Sequence, residues 1–415
     1  MAKTVVAGGG IIGLFSAYFL NADGHDVVLI DSGHPVNCST GNAGMIVPSH
    51  VIPLAAPGVV AKGLKWMFSP KSPFSLKFSM DPDWARWGWL FLKSANSKNV
   101  QRSFMHLKEI SVYSRQLYAS FVNTHKEEDF HWGEKGLLML YRSRHGEKEE
   151  TGAARVAALA GLEARVLDAA EVRDIEPGIS DSVRGGVLYP GDALISPGIL
   201  TTFLYKYLQE KGVKIVTRRE VSSFRFSNGN VVSVIAGDKE YTCDFLVVTA
   251  GTRSADIARE LSFRLPLMAG KGYSFMSRNT LELKQPAILS ERKVTVSPYR
   301  DTVRFGGTME ISGRARGVDL RKVKGIAESL GLYYEGAANF RLPEPDTVWS
   351  GLRPVSPDGL PYIGKSPVMD NVFFGTGHSM IGVSLAPATG KIISDLIGSD
   401  TPDIDISLYS PGRFA

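Results

Sequence analysis

The chain has 415 residues, of which 44% are hydrophobic and 21% charged, and its formal net charge is +5. This composition excludes a disordered chain, a collagen-like repeat and a coiled coil, and the length favours two or three domains. Two cysteines are too few for a disulfide framework or a four-ligand zinc site, so we expect a reduced, cytoplasmic setting and no metal. No nucleic-acid-binding motif is present, so no nucleic-acid partner is expected.

The first 31 residues predict a complete nucleotide-binding unit. A strand over Lys3–Ala7 leads into Gly8-x-Gly10-x-x-Gly13, a helix over 14–21 and a second strand over Asp26–Ile30. Gly8 allows a tight turn, Gly10 lets a pyrophosphate approach the backbone, and Gly13 lets the helix pack on the strand. Asp31 ends the second strand, where an acid binds the ribose hydroxyls of an adenosine. With no arginine nearby in sequence, a 2′-phosphate is not expected.

The segment 58–93 is rich in tryptophan, lysine and proline. One interpretation is a peripheral membrane contact, because tryptophan and lysine favour the membrane interface. The other is a hairpin or helix pair whose aromatic residues pack in a core. The prolines favour the second interpretation, since they interrupt any long amphipathic helix.

Further elements follow in order, and their pattern predicts the domain organisation. We expect helices over 100–125, 147–160 and 197–211, strands over 136–141, 213–216, 221–226, 231–236, 245–251 and 371–374, and a closing helix over 381–397. Buried, parallel-type strands at the start, middle and end predict an α/β fold with a Rossmann-like dinucleotide-binding domain built from discontinuous segments. The predicted segments are 1–92, 186–262 and 346–415. Residues 93–185 and 263–345 form an α+β substrate-binding domain with an antiparallel sheet.

Two further segments favour a flavin over a nicotinamide. Residues 39–44 form a small, polar loop directly after the second strand, and residues 377–382 lead into the closing helix. A helix N-terminus stabilises the negative charge that a flavin gains on reduction. An NAD-linked dehydrogenase is the alternative, but it leaves the C-terminal Gly-Thr-Gly-His segment with its helix and the Gly-Leu-Arg-Pro motif unexplained.

The sequence resembles the amino-acid oxidase family of flavoproteins along essentially its whole length. The motifs that carry this resemblance are GGGIIG, STGNAG, VVTAG, KGYSF, GLRPVSPDGLPYIG and GHSMIGVSLAPATGKIISDLI. The family includes D-amino-acid oxidase, glycine oxidase, sarcosine oxidase and bacterial D-amino-acid dehydrogenases. The STGNAG loop, the KGYSF segment and the closing helix are most similar to the small-subunit type of D-amino-acid dehydrogenase.

The resemblance implies a non-covalently bound FAD, because neither Cys38 nor Cys243 is placed like the cysteine that tethers the flavin in sarcosine-oxidase relatives. Cys38 is instead expected to be a small buried residue. The implied cofactor-binding residues are Gly8, Gly10, Ile12, Gly13, Asp31, Ser32, Ser39, Thr40, Asn42, Ala43, Gly44, Val221, Ala250, Gly251, Gly351, Gly377, Ser379, Met380, Ile381 and Gly382.

Four residues are candidates for catalysis or substrate binding. Arg353 lies in Gly-Leu-Arg-Pro, and its planar guanidinium suits a bidentate grip on a substrate carboxylate. Tyr273 is a candidate for hydrogen bonding to the same carboxylate, and His378 for orienting flavin or substrate. His50 follows the loop of residues 39–44, which we call the cofactor loop, and is a weaker candidate for the pocket. The alternatives are a surface charge for Arg353, a core tyrosine for Tyr273 and a surface or core histidine for His50.

The expected activity is oxidative deamination of a D-amino acid, including cyclic ones such as D-proline or hydroxyproline. A hydride would pass from Cα to flavin N5, and the electrons would pass to a quinone or another carrier. The alternatives are a glycine- or sarcosine-type amine oxidase that uses oxygen, and a non-catalytic flavin-binding partner module. If residues 58–93 contact a membrane, the enzyme would lie on the inner face of the inner membrane.

Overall fold

The structure is a computed structural model that describes residues 1–33, 38–57, 73–76, 80–311, 313, 317–337 and 340–414. In this part of the chain the α-helices are α1 Ile11–Ala22, α2 Pro82–Ser94, α3 Ser97–Thr124, α4 Arg144–Leu159, α5 Ala169–Ile175, α6 Pro197–Glu210, α7 Ser254–Glu260, α8 Leu320–Tyr333 and α9 Ala386–Gly398.

The strands of the same residues fall into two large sheets and two small ones. They are β1 Lys3–Ala7, β2 Asp26–Ile30, β3 Met45–Ile46, β4 Phe74–Leu76, β5 Leu137–Tyr141, β6 Arg165–Asp168, β7 Gly185–Tyr189, β8 Ala193–Leu194, β9 Lys214–Val216, β10 Val221–Ser227, β11 Asn230–Ala236, β12 Lys239–Thr242, β13 Phe245–Val248, β14 Met268–Arg278, β15 Ala287–Leu289, β16 Val294–Tyr299, β17 Thr302–Ile311, β18 Trp349–Val355, β19 Tyr362–Lys365 and β20 Val372–Thr376.

The first large sheet has the order β19-β20-β13-β1-β2-β9. All its neighbouring strands run parallel except β19, which is antiparallel to β20. Its strands come from the start, the middle and the end of the chain, as the sequence predicted. Strand β1 and helix α1 contribute Val6, Leu14 and Phe15 to a core that also holds Ile392 of α9. The closest approach is at Gly390, where a Cβ would lie 2.6 Å from the Phe15 backbone.

The second large sheet is mostly antiparallel, with the order β18-β14-β17-β16-β15-β5-β7-β6 and β4 paired to β17. Helix α8 covers one face, where Ile326 and Leu330 join a core with Phe275 and Phe305. The opposite face meets the loop that follows the first nucleotide-binding unit, since Ser274 Oγ donates a hydrogen bond to Gly41 O at 2.7 Å. The fold class is therefore the predicted one, a Rossmann-like α/β part together with an antiparallel sheet.

Sheet membership differs from the predicted domain segments at three strands. Strands β4, β7 and β18 pair within the second sheet, although the segments 1–92, 186–262 and 346–415 place all or most of each in the dinucleotide-binding domain. Strands β7 and β18 lie where the chain passes between the two sheets, and a change in sequence composition does not reveal such a position. The domain boundaries themselves stay a prediction.

The closing helix begins later than predicted. Helix α9 starts at Ala386 with Pro387 in its first turn, whereas the sequence predicted a start near 381. Residues 377–385 form turns, with Gly377 and Ser379 at positive φ and Ser379 N–H donating to Pro354 O at 2.8 Å. A proline is favoured at a helix start, so the helix begins there and the preceding segment wraps as a loop.

The tryptophan-rich segment is described only in part, since 58–72 and 77–79 lie outside the described residues. Helix α2 places Trp87 in the core, where its indole N–H donates to Val355 O at 2.8 Å. Trp89 on the same helix is 60% exposed. Among the described residues, no helix combines the length and the apolar character that crossing a membrane requires.

Candidate functional site

A cavity of about 680 Å³ opens at the carboxyl ends of β1, β13 and β20, the edge at which ligands bind in open α/β sheets. We call it the cofactor cavity. The predicted residues that line it are Gly8, Gly10, Ile12, Asp31, Ser32, Ser39, Asn42, Val221, Ala250, Gly251, Arg353, His378, Ser379 and Gly382. Residues from six separated segments of the sequence therefore meet around one space.

Close packing explains two glycines of the Gly8-x-Gly10-x-x-Gly13 motif. Gly8 has a φ of +117°, and a Cβ there would lie 2.5 Å from Thr249 O. Gly13 does not line the cavity, and its own Cβ would lie 1.9 Å from Gly8 O. Gly10 precedes α1 in an extended conformation, so the N-terminus of this helix faces the cavity, where unpaired N–H groups favour an anion. Ser39 Oγ accepts one of these groups, the Ile11 N–H, at 3.0 Å.

Asp31 is held at the cavity by neighbours that the sequence did not suggest. Tyr205 of α6 places its hydroxyl 3.1 Å from Asp31 Oδ2 and 3.0 Å from Gly9 O. Gly33 N–H donates to Asp31 Oδ1 at 3.2 Å. The carboxylate is thus oriented from two sides, as an acid that binds ribose hydroxyls needs to be.

Two arginines that are distant from Asp31 in sequence reach this cavity in the folded chain. Arg219 and Arg253 both belong to its lining. Each is paired with an acid: Arg219 lies 3.5 Å from Asp238, and Arg253 contacts Glu220. Their charge is therefore partly neutralised before any ligand arrives.

Arg353 lies on β18 and lines the same cavity. Its guanidinium covers Gly272 of β14, where a Cβ would lie only 2.1 Å from Nη1. Nη1 donates to Thr308 O at 2.7 Å, and Thr308 has a φ of +71° at an irregularity in the β14–β17 ladder. The absence of a Cβ at Gly272 thus leaves space for the guanidinium, and the Thr308 carbonyl holds it by a hydrogen bond.

The charge of Arg353 has no carboxylate partner within 4 Å among the described residues. Burial lowers the pKa of Arg353 to about 10, with an opposing effect of the Cys38 thiol, so the side chain stays cationic at neutral pH. A desolvated cation without a counter-ion strongly favours an anionic ligand. Cys38 is exposed and lines the cavity, so its predicted buried role is wrong.

His378 is buried beside Arg353's strand, where it bridges to Val355. Its Nε2 lies 2.9 Å from Thr389 Oγ1, and burial lowers its pKa to about 3. The imidazole is therefore neutral at physiological pH, so it fits a positioning role and not that of a proton donor.

The structure does not bring Tyr273 or His50 to the cofactor cavity. Strand alternation turns Gly272 and Ser274 to the cavity side of β14 and Tyr273 to the opposite side, where its side chain packs in the core under α8. His50 lies 3.0 Å from Ser49 Oγ, and burial together with Lys293 lowers its pKa to about 4. Neither residue lines the cavity, so the core alternatives fit them.

The remaining predicted residues lie just behind the lining. Ala43 and Gly44 rest against β16, where Tyr299 Oη donates to Ala43 O at 2.7 Å. Asn42 Nδ2 reaches Met380 O at 3.5 Å, which joins the cofactor loop to the turn before α9. The others without a direct place in the lining are Thr40, Gly351, Gly377 and Ile381.

Two functional candidates were missed by the sequence analysis. The Trp349 indole lies where a Cβ on Gly41 would meet it at 2.0 Å and a Cβ on Gly351 at 2.2 Å, and it lines the cofactor cavity. Arg304 of β17 donates to the backbone carbonyls of Thr40 and Asn42, so it fixes the cofactor loop from beneath. Gly351, close to Trp349 in the sequence, is a signal for it, whereas nothing in sequence marks Arg304.

The chain matches the family model described as FAD dependent oxidoreductase over residues 3–396. It belongs to this family. A D-amino acid dehydrogenase from Helicobacter pylori is 30% identical over 419 residues, which cover 98% of each chain. A D-amino acid dehydrogenase from Rhizorhabdus wittichii is 30% identical over 429 residues, covering 99% of this chain and 100% of the other. The crystal structure of glycine oxidase from Geobacillus kaustophilus superposes with a TM-score of 0.81 at 20% identity and covers both chains fully.

The protein is thus an FAD-dependent oxidoreductase, and the residues of the cofactor cavity fit FAD. The glycine turn and the N-terminus of α1 suit a diphosphate, and Asp31 suits the ribose of the adenosine. Val221 and, from the turn 377–382, His378, Ser379 and Gly382 also belong to the lining.

Proposed function

We propose that this enzyme catalyses the oxidative deamination of a D-amino acid to an imino acid, which water then hydrolyses to a keto acid. The observation that carries the proposal is Arg353, a half-buried cation that faces the cofactor cavity without a carboxylate partner among the described residues. The names of the relatives from Helicobacter pylori and Rhizorhabdus wittichii support a D-amino acid as the substrate.

The side chains around Arg353 would bind and orient the substrate. A guanidinium grips a carboxylate through two parallel hydrogen bonds, which fixes both position and direction. Thr308 O restrains one nitrogen of the guanidinium, so little side-chain entropy is lost on binding. FAD supplies the hydride acceptor for the substrate Cα–H bond. Because orientation at the reacting atoms supplies much of the rate, the clamp would act on catalysis as well as on affinity.

No general base is needed if the amine form of the substrate binds. His378 is neutral and would be a fixed, uncharged side chain in the pocket beside the substrate. We include cyclic substrates such as D-proline, because an amine nitrogen within a ring leaves the carboxylate and Cα available to the same clamp. For the electrons we propose a quinone or another carrier as the acceptor.

The test is an anaerobic one. The purified flavoprotein is mixed with D-, L- and N-methyl amino acids, and the loss of oxidised flavin absorbance is followed. We expect D-amino acids to bleach the flavin and Arg353→Ala to need at least about a hundredfold more substrate, as loss of a bidentate charged contact predicts. Arg321→Ala, an exposed arginine paired to Asp319, is the matched control.

Three other outcomes of this experiment would contradict the proposal or part of it. Bleaching by glycine or sarcosine, with fast reoxidation in air, would replace the proposal by an amine oxidase that uses oxygen. Bound flavin that no amino acid bleaches would favour a non-catalytic flavin-binding module. Equal bleaching of the Arg353→Ala variant and the unmodified enzyme would refute the clamp.

We also propose that helix α2 contacts the inner face of the inner membrane. Trp89 and Leu92 are 60% and 59% exposed, and the Lys93 ammonium lies 5.1 Å from the centre of the Trp89 ring. Exposed aromatic and aliphatic side chains beside a cation suit an anionic lipid surface.

Vesicle sedimentation tests this contact. The enzyme should sediment with vesicles containing anionic lipid, and Trp89→Ser/Leu92→Ser should lose most of that binding, whereas Leu159→Ser, which removes another exposed leucine on α4, should keep it. Equal sedimentation of all three proteins, or none with the unmodified enzyme, would contradict the proposal.

A further inference from the structure

A second cavity of about 330 Å³ lies against the cofactor cavity and has no role in the proposed deamination. Thr202 of α6, Met276 of β14 and Thr347, all of them exposed, surround its mouth. Its inner wall is formed by Ser274, Arg304 and Trp349. The cavity therefore leads from solvent to the cofactor loop.

Trp349 lines both cavities. Its indole is pressed against Gly41 of the cofactor loop and against Gly351, so its position is fixed by backbone on both sides. A molecule in the second cavity would thus be separated from the cofactor cavity by a single aromatic ring and the loop that the ring covers.

The chemistry of the second cavity suits a planar molecule with hydrogen-bond acceptors. None of its described lining residues is acidic. Arg304 directs Nη1 to the carbonyls of Thr40 and Asn42 and Nε to Met276 Sδ, and Nη2 has no hydrogen bond within the described chain. A mostly buried guanidinium stabilises an oxygen that gains negative charge, while Trp349 and Met276 offer surfaces for a flat ring.

We propose that the second cavity binds the electron acceptor, a quinone whose ring lies against Trp349 and whose carbonyl accepts a hydrogen bond from Arg304. The proposal rests on the deamination proposed above. In the overall reaction the substrate loses two electrons and two protons as its C–N single bond becomes a C=N double bond. The quinone takes up two electrons and two protons and becomes a quinol, so amino acid and quinone give imino acid and quinol.

The experiment separates this site from the deamination by reducing the enzyme without substrate. Flavoprotein reduced anaerobically with dithionite is mixed with a short-chain ubiquinone, and the return of oxidised flavin absorbance is followed. Thr202→Trp fills the cavity from its mouth. Gln209→Trp, which is also an exposed position of α6, is the matched control.

We expect reoxidation by the quinone to saturate with quinone concentration and to fall at least about tenfold in Thr202→Trp, a change of about 1.4 kcal/mol in binding, with no change in Gln209→Trp. Bleaching by D-amino acids should be the same in all three proteins. Quinone binding is also measured without turnover, by equilibrium dialysis against the oxidised enzyme, and should weaken to the same extent.

Two results would overturn the proposal. Equal quinone binding and reoxidation in Thr202→Trp and the unmodified enzyme would place the acceptor elsewhere. A higher amino-acid requirement for bleaching in Thr202→Trp, with unchanged reoxidation, would identify the cavity as part of the substrate pocket. Failure of every amino acid to bleach the flavin would instead count against the deamination, and the dithionite experiment would still report on the cavity.

Discussion

At the scale of single residues, the site depends on glycines at positions where a Cβ would overlap a large functional side chain. Gly272 faces the Arg353 guanidinium, and Gly41 and Gly351 face the Trp349 indole. In each pair, a large functional side chain occupies the volume that a Cβ would need. A glycine beside an arginine or a tryptophan is thus part of the site, although it carries no chemistry itself.

Gly272→Ala tests this arrangement. Its Cβ would lie 2.1 Å from Arg353 Nη1, so the guanidinium must leave its place and lose the bond to Thr308 O. We expect at least about a tenfold rise in the D-amino acid concentration needed for half-maximal bleaching, because a clamp displaced by about 1 Å binds poorly. Gly152→Ala is the control, since a Cβ there meets nothing within 4 Å and the residue lines neither cavity. A Gly272→Ala enzyme that folds and bleaches like the unmodified protein would show that Arg353 is not held by this contact.

At the scale of elements, local signals predicted the nucleotide-binding unit and missed the faces of the second sheet. The predicted strands Lys3–Ala7 and Asp26–Ile30 have the observed bounds. Their apolar pattern and the glycine turn between them depend on only a few neighbouring residues. Strand β14 differs: its ladder with β17 shifts between Lys271 and Tyr273, and which side faces the cofactor depends on a partner strand far along the chain. Tyr273 was therefore expected at the cavity but packs under α8, and Arg304 was not named as a candidate. The motif around Arg353 is local, and the residue does line the cavity.

At the scale of the whole molecule, a buried polar link joins the segment after the cofactor loop to the turn before β8. Asp192 is 1% exposed; Ser49 donates to it through Oγ at 2.5 Å and through N–H at 3.1 Å. Because β3 pairs with β8 beside this link, the carboxyl group is removed from water only when the chain is fully folded. Its protonation is accordingly coupled to global unfolding.

This coupling predicts how stability depends on pH. Burial raises the pKa of Asp192 to about 7, so between pH 4 and 7 the folded protein keeps a proton that the unfolded chain releases. The free energy of unfolding should therefore fall as pH rises through this window, by up to about 4 kcal/mol relative to Asp192→Asn, and the difference should level off above it. Urea unfolding of both proteins across the window measures this difference. Both chains carry His50→Gln, because His50 contacts the same Ser49 hydroxyl and would make an opposite contribution. Asp238→Asn, which replaces an exposed carboxylate, should show no such change. A constant difference between the His50→Gln proteins with and without Asp192→Asn would mean that Asp192 is ionised in the folded protein throughout this range.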